Sequence, residues 1–230
     1  MRYAALPLPV SVLAALAIGA GEAPPPAQPE AKKEEASAEH VLRQRFLVAY
    51  ESAQTPARKA EVVEMLRGVK EKESQRLITG MLGNSSEVVR RSACMVMAAT
   101  PDPEGFFVKP LMGVLADPAL SVRLAAAEAL GAAAVRADAI KALAFALMET
   151  VGSAKPENAV DEAKLITAYD RALQKLTGER SPEREARAIG NFWMDYWKKN
   201  GEEIAAKERR AREAEPPPRP PNLPKDSLDK

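Results

Sequence analysis

Residues 115–131 read LADPALSVRLAAAEALG, a pattern typical of one helix ending, a tight turn and a second helix beginning. Asp117 can accept hydrogen bonds from backbone N–H groups at such a turn, and Pro118 restricts the chain direction as the next helix starts. Alanines follow at positions that share one face of a helix. A catalytic site needs converging polar groups, which the apolar half of this stretch lacks. The stretch therefore predicts a closely packed helical hairpin.

The same pattern occurs 33 residues earlier in the chain. Residues 81–99 align with residues 114–133, so that Asn84 corresponds to Asp117. A single helical hairpin cannot bury its apolar face alone, whereas stacked hairpins share a continuous core. We therefore predict an all-α protein, a short α-solenoid of antiparallel helix pairs. Other matching pairs are Leu82 and Leu115, Arg90 and Arg123, Ala93 and Ala126, and Met97 and Leu130.

Helical periodicity extends through the middle of the chain. Apolar residues recur three and four positions apart, and Pro and Gly mark boundaries at short intervals. Strands are not expected, because no apolar–polar alternation is bounded by turn residues. The predicted helices cover residues 40–53, 57–69, 72–83, 86–99, 105–116, 119–133, 137–151, 159–177 and 183–199, with a further charged helical run at 202–214.

The two ends of the chain differ from its middle in composition. Residues 1–20 combine a basic start, an apolar stretch and small residues, which predicts an export signal peptide cleaved after Ala20. Residues 21–38, rich in Pro, Glu, Lys and Ala, are predicted to form a disordered linker. The helical repeat domain is expected to span residues 39–200. Residues 201–230 are expected to form a charged helix extension and a Pro-rich disordered tail.

Charge and residue types narrow the classes of function. Lys and Arg total 33 and Asp and Glu total 32, a net charge of +1, which argues against a nucleic-acid partner. Cys94 is the only cysteine and His40 the only histidine, so neither a Cys-rich metal site nor a His-based catalytic set is expected. No Gly-rich phosphate loop or zinc motif occurs. We expect no catalytic residue, no cofactor and no metal.

The residues DPALSVRLAAAEALG resemble the HEAT-repeat family, including the HEAT-like repeats first recognised in phycobiliprotein lyases. Units of that family carry an Asp-Pro turn, then Val-Arg, then an Ala-rich second helix that ends in Leu-Gly. Asn84-Ser85 stands where the pattern has Asp-Pro, so no inter-repeat Asp–Arg ladder is expected at the turn that contains residues 84 and 90. The resemblance implies an α-solenoid that binds proteins, and it does not by itself imply lyase chemistry.

Residues 173–201, LQKLTGERSPEREARAIGNFWMDYWKKNG, resemble a closing segment of bacterial exported HEAT-like proteins. Phe192, Trp193, Tyr196 and Trp197 share one helical face. A terminal repeat must cover an apolar face that has no next neighbour, and large aromatic side chains do this with few residues. We predict an aromatic C-terminal capping helix, with an exposed aromatic patch for a partner as the alternative.

The leading interpretation is a non-catalytic protein-interaction module or scaffold of the bacterial cell envelope, in the periplasm or outside the cell. One alternative is a HEAT-like lyase or a carboxylate-based hydrolase, which requires a deep pocket with converging buried acids. Another is a structural envelope protein held by an uncleaved N-terminal anchor; after cleavage no stable membrane span is expected. The predicted partner-binding face consists of Arg90, Arg91, Arg123, Trp193 and Trp197, for which turn hydrogen bonds and cap packing are the alternatives.

Overall fold

The computed structural model describes the backbone of residues 29–134 and 136–214 and the side chains of 38–134 and 136–214. The predicted signal peptide and the Pro-rich tail after residue 214 lie outside these described residues. Within them the chain forms nine α-helices and no strand, as predicted. The helices are α1 (Pro29–Ser52), α2 (Pro56–Val63), α3 (Lys72–Gly80), α4 (Glu87–Ala98), α5 (Val108–Val114), α6 (Leu120–Leu130), α7 (Arg136–Gly152), α8 (Ala159–Thr177) and α9 (Ala186–Ala214).

The helices stack in two layers. The second helices α2, α4, α6 and α8 pack in that order in one layer, while α5, α7 and α9 follow one another in the other layer. The layers are joined because α5 packs on α6 and α7 packs on α8. One continuous cluster of buried side chains runs from Phe46 in α1 to Trp193 in α9. This arrangement is the short α-solenoid of helix pairs that the 33-residue recurrence predicts.

The two aligned stretches of sequence fold alike. Asn84 Oδ1 accepts a hydrogen bond from Ser86 N at 2.9 Å, and Asp117 Oδ1 accepts one from Ala119 N at 2.8 Å. Ser86 (φ −82°, ψ 124°) and Ala119 (φ −87°, ψ 123°) share one extended conformation immediately before α4 and α6. The two stretches also lie side by side, because α4 packs on α6. The sequence recurrence is therefore a structural repeat.

Helix α1 is longer than the composition of its first residues predicts. It begins at Pro29, inside the segment expected to be a disordered linker. Ala, Glu and Lys dominate that segment, and all three have high helix propensity. Farther along α1, the Glu39 carboxylate accepts hydrogen bonds from Lys70 N at 3.1 Å and Glu71 N at 2.6 Å. Glu39 thus holds α1 against the start of α3.

Helix α9 is continuous where the sequence predicts a helix at 183–199 and a separate charged run at 202–214. The charged run packs against the stack, because Glu208 Oε1 accepts hydrogen bonds from Arg136 N at 2.5 Å and Ala137 N at 3.1 Å. The first N–H groups of a helix have no partner inside that helix, so Glu208 satisfies the start of α7 from a distance. The sequence contains no local signal for a contact between residues so far apart.

Gly131 allows α6 to approach α8 closely. A Cβ atom built at Gly131 would lie 3.0 Å from both Cα and Cβ of Ala172. We expect Gly131→Ala to lower the free energy of unfolding by about 1 to 2 kcal/mol, because backbone atoms of α8 must move. Urea unfolding followed by far-ultraviolet circular dichroism measures this change.

Gly113 in α5 is the matched control, since a Cβ atom built there meets nothing within 4 Å. Gly113→Ala is expected to raise the free energy of unfolding by about 0.5 to 1 kcal/mol, because alanine favours the helical backbone. If both substitutions changed the free energy of unfolding in the same direction, the close approach of α6 to α8 would not depend on the missing side chain of Gly131.

Candidate functional site

Helix α4 carries exposed residues on the side that faces away from the core. Val88 is 44% exposed and Met95 is 40% exposed, and Arg91 between them is exposed too. Their spacing of three and four positions places them on one face of the helix. Exposed apolar side chains at regular spacing, with a basic residue among them, distinguish this face from an ordinary solvated helix surface.

The same face recurs on α6 and continues onto α8. Ser121, Leu124 and Glu128 lie 33 residues after the three α4 positions, and each is at least partly exposed. Leu124 and Glu128 line an open groove of about 550 Å³ between α6 and α8. Exposure at these positions therefore recurs on the two helices, although Ser121 and Glu128 replace the apolar Val88 and Met95.

Helix α8 adds apolar and basic side chains to that face. Val160 is 70% exposed, and Arg171 and Lys175 line the same groove. Lys164 also lines it, although its Nζ lies 3.0 Å from Asp161 Oδ1. We call the whole face the second-helix surface. It comprises Val88, Arg91, Met95, Leu124, Glu128, Val160, Lys164, Arg171 and Lys175.

Arg90, predicted to lie on a binding face, instead links two consecutive repeats. Its Nε donates to Asp117 Oδ2 at 2.7 Å and its Nη2 donates to Asp117 Oδ1 at 2.9 Å. Only 13% of the Arg90 side chain and 8% of the Asp117 side chain are exposed. The hydrogen bond with Asp117 raises the pKa of Arg90, and the same bond lowers the pKa of Asp117. The guanidinium is thus occupied within the fold, which removes Arg90 from the predicted face.

An inter-repeat Asp–Arg pair was not expected for Arg90, yet Arg90 forms one with Asp117 of the following turn, because Asn84 offers no carboxylate. The Asn84 side-chain amide donates instead to Tyr50 Oη at 3.0 Å. Sequence reasoning missed that Arg90 pairs with the turn of the following repeat, 27 residues later. The 33-residue recurrence supplied a signal for this pair, since it places the Asp117 turn in the repeat that follows Arg90.

Trp193, also predicted for the binding face, is 0% exposed. Its Nε1–H donates to Asp170 Oδ1 at 2.7 Å, and the rings of Phe192 and Tyr196 meet it edge-on at centroid distances of 4.9 and 5.7 Å. A buried indole N–H needs an acceptor, so Asp170 completes the cap. Trp193 therefore belongs to the capping helix and not to a surface. Nothing in the sequence singled out Asp170.

The remaining three predicted residues do not form one site. Arg91 is exposed and belongs to the second-helix surface. Trp197 is half-buried, and its ring lies so close to Gly201 that a Cβ atom there would be 2.7 Å from it. Arg123 is half-buried and lines a different groove, between the α5–α6 turn and the α7–α8 connection. Of the five residues predicted for the partner-binding face, only Arg91 lies on the second-helix surface.

Side chains with catalytic or metal-binding potential are dispersed in the described part of the chain. Cys94 is buried, and desolvation raises the pKa of its thiol to about 12, so that the thiolate does not form near neutral pH. His40 is exposed, and its Nδ1 lies 2.9 Å from Arg43 Nη2. No cluster of three or more His, Cys, Asp and Glu side chains capable of holding a metal occurs there. The buried polar residues of this part are Ser74, Gln75, Ser92 and Thr100.

None of the helices within 29–134 and 136–214 combines enough length and apolarity to span a lipid bilayer.

Comparison with known families agrees with the repeat geometry. The family model for HEAT repeats matches residues 45–131 and, in a second overlapping match, residues 74–151. No curated protein and no solved structure shows a significant match to the chain. The matched ranges contain both aligned turns, the Arg90–Asp117 pair and the second helices α4 and α6. Residues 45–151 therefore form HEAT repeats, as the resemblance in the sequence predicted.

Proposed function

We propose that this protein is a non-catalytic scaffold of the bacterial cell envelope that binds a protein partner through the second-helix surface. HEAT repeats point to a helical scaffold for protein interaction. The observation that carries the proposal is the exposed face that recurs on α4 and α6 and continues on α8. Stacked repeats present extended surfaces of this kind, over which contacts from several repeats add together.

The apolar members of the surface supply the attraction. Val88, Met95 and Val160 are 44%, 40% and 70% exposed, so a partner that covers them removes apolar area from water. Each Å² of apolar area removed contributes roughly 25 cal/mol. An isolated exposed apolar residue is common, whereas several on one side of neighbouring helices favour an interaction surface.

The basic members of the surface restrict the partner. Arg171 and Lys175 line the groove between α6 and α8, together with a single acid, Glu128. Acidic side chains on the partner complement this end of the groove and orient the partner along it. The favoured partner is therefore a protein segment with an apolar face flanked by acidic residues.

The envelope location rests on the composition of residues 1–20. If the protein is exported and the signal is cleaved after Ala20, the protein isolated from the envelope fraction begins at Gly21. Mass spectrometry of the intact protein measures this directly. A chain that still begins at Met1 in the membrane fraction would favour the anchored alternative.

Capture of partners from an envelope extract tests the binding surface. The immobilised chain is compared with the double variant Val88→Glu, Met95→Glu, which places two charges on the surface. Val48→Glu is the matched control, because Val48 is 68% exposed on α1, outside the surface. We expect at least one protein to be recovered by the unmodified chain and the control, with recovery reduced by about tenfold or more for the double variant.

Equal recovery by all three chains would place binding elsewhere. Recovery of no protein, together with turnover of a small substrate by the purified chain, would favour the catalytic alternative.

A further inference from the structure

Arg123 occupies the same position in its repeat as Arg90 does in the preceding repeat. Unlike Arg90, Arg123 has no carboxylate from the described residues bound to its guanidinium. Arg90 Nη1 donates to the Asn84 carbonyl at 2.9 Å, and Arg123 Nη1 donates to the Asp117 carbonyl at the same distance of 2.9 Å. The edge of Arg90 formed by Nε and Nη2 holds a carboxylate in a bidentate arrangement. In Arg123, Nε is buried and has no hydrogen-bond partner in the described part of the chain.

The missing carboxylate has a clear sequence cause. Asn84, Asp117 and Thr150 follow one another at intervals of 33 residues. The first two lie in turns, whereas Thr150 lies inside α7, which extends to Gly152. Its hydroxyl donates to the Ala146 carbonyl at 2.9 Å. The third position of this series therefore supplies neither a turn nor a carboxylate for Arg123.

Arg123 lines a groove of about 970 Å³. The groove lies between the α5–α6 turn and the α7–α8 connection, and it shares no residue with the groove of the second-helix surface. Phe145 on its wall is 50% exposed, and the fully buried Tyr169 also lines it. The groove thus combines an apolar wall with a guanidinium that lacks one partner.

We propose that this groove binds a polypeptide segment of a partner protein, and that the segment places one carboxylate on the Nε–Nη2 edge of Arg123. A buried donor without an acceptor is unfavourable, and a carboxylate removes that cost with two charge-assisted hydrogen bonds. The Nε–Nη2 edge meets such a segment once the half-buried guanidinium turns toward the groove, and this turn exchanges the hydrogen bond to the Asp117 carbonyl for the pair with the carboxylate. The proposal shares with the proposed function only the assumption that the occupant is a polypeptide.

The charges around the groove limit the occupant to one carboxylate. Glu149, Asp161 and Glu162 line the groove, so they repel a polyanion. Asp161 is paired with Lys164, whereas the rim contributes Lys155 as its only other base. The matching segment is therefore an extended peptide with one Asp or Glu between apolar residues.

The chain itself supplies a probe. Residues 115–120, Leu-Ala-Asp-Pro-Ala-Leu, contain the carboxylate that sits on Arg90. We would titrate the acetylated, amidated peptide of this sequence into the ¹⁵N-labelled full chain and follow the Arg Nε–H resonances by nuclear magnetic resonance. The buried Nε–H of Arg123 is shielded from water, which keeps its resonance observable; Arg123→Lys assigns it. The control peptide carries Asn in place of Asp.

We expect the Asp peptide to move the Arg123 resonance downfield and to leave the Arg90 resonance unchanged. We expect the Asn peptide, or the Arg123→Lys chain, to bind at least tenfold more weakly, because the bidentate pair is lost. Arg171→Lys, on the second-helix surface, should bind the Asp peptide as the unmodified chain does.

Three results would overturn the proposal. One is equal binding of the Asp and Asn peptides. Another is the absence of any shift at Arg123 up to millimolar peptide. The third is a free-chain Arg123 resonance already at the position of the paired Arg90, which would show that a carboxylate of this chain occupies the edge. The proposed function is tested separately, by substitution of Val88 and Met95 on the second-helix surface, and none of these three results affects that test.

Discussion

Trp193→Ala is expected to lower the free energy of unfolding by about 3 to 5 kcal/mol, the range found when a large buried aromatic side chain is removed. Trp193 is 0% exposed at the end of the stack, and its indole donates to Asp170 at 2.7 Å. The substitution leaves a cavity against α7 and α8 and also removes a hydrogen-bond donor from Asp170. Urea unfolding followed by far-ultraviolet circular dichroism is the appropriate measurement, because tryptophan fluorescence changes with the substitution itself.

Trp197→Ala is the matched control on the same helix. Trp197 is half-buried, and its ring lies over Gly201 of its own helix, so its loss should cost about 1 kcal/mol. Because a repeat contacts only its neighbours, loss of Trp193 should weaken α7, α8 and α9 first. Hydrogen exchange should therefore become faster in these helices and change little in α2. Equal losses for the two tryptophans would contradict the capping role of Trp193.

Asp117→Ala is expected to lower the free energy of unfolding by about 3 kcal/mol, because it leaves the nearly buried Arg90 without its counter-charge. The substitution also removes the acceptor for Ala119 N at the start of α6. Asp161→Ala is the control: its partner Lys164 and its own side chain are both 54% exposed, so the change should be below about 1 kcal/mol. A similar cost for both substitutions would show that the Arg90–Asp117 pair does not hold the repeats together.

The Arg90–Asp117 pair also predicts how the free energy of unfolding changes with pH. The hydrogen bond from Arg90 lowers the pKa of Asp117 in the folded chain below its value in the unfolded chain. The stabilisation is therefore fully present above the ordinary carboxyl pKa of about 3.9 and is lost as the pH falls through the folded pKa. Below about pH 4, the unmodified chain should lose stability more steeply than Asp117→Asn. Parallel curves for the two chains would contradict the assignment.

Local sequence patterns determined the helices and the repeat. The turn residues around Asp117 and the alanines after it act within a few positions of one another, so their effect is readable from the sequence. The match 33 residues earlier then required stacking, since neither hairpin buries its apolar face alone. The exposed residues of α4 and α6 follow from the same periodicity, although Arg91 is the one among them that was predicted to bind a partner.

The roles of Arg90, Trp193 and Glu208 were decided by the tertiary structure. Arg90 and Trp193 were predicted to face a partner, yet one pairs with Asp117 across repeats and the other is buried against Asp170. Glu208 caps α7 from a helix 71 to 72 residues away.

The sequence by itself established an all-α stack of HEAT repeats, because helix periodicity and turn chemistry are local. Only the tertiary structure decided which charges are paired inside the stack and which, like Arg123, are left without a carboxylate. The reason is that these pairings join side chains on different helices, and their distances depend on how closely whole layers pack.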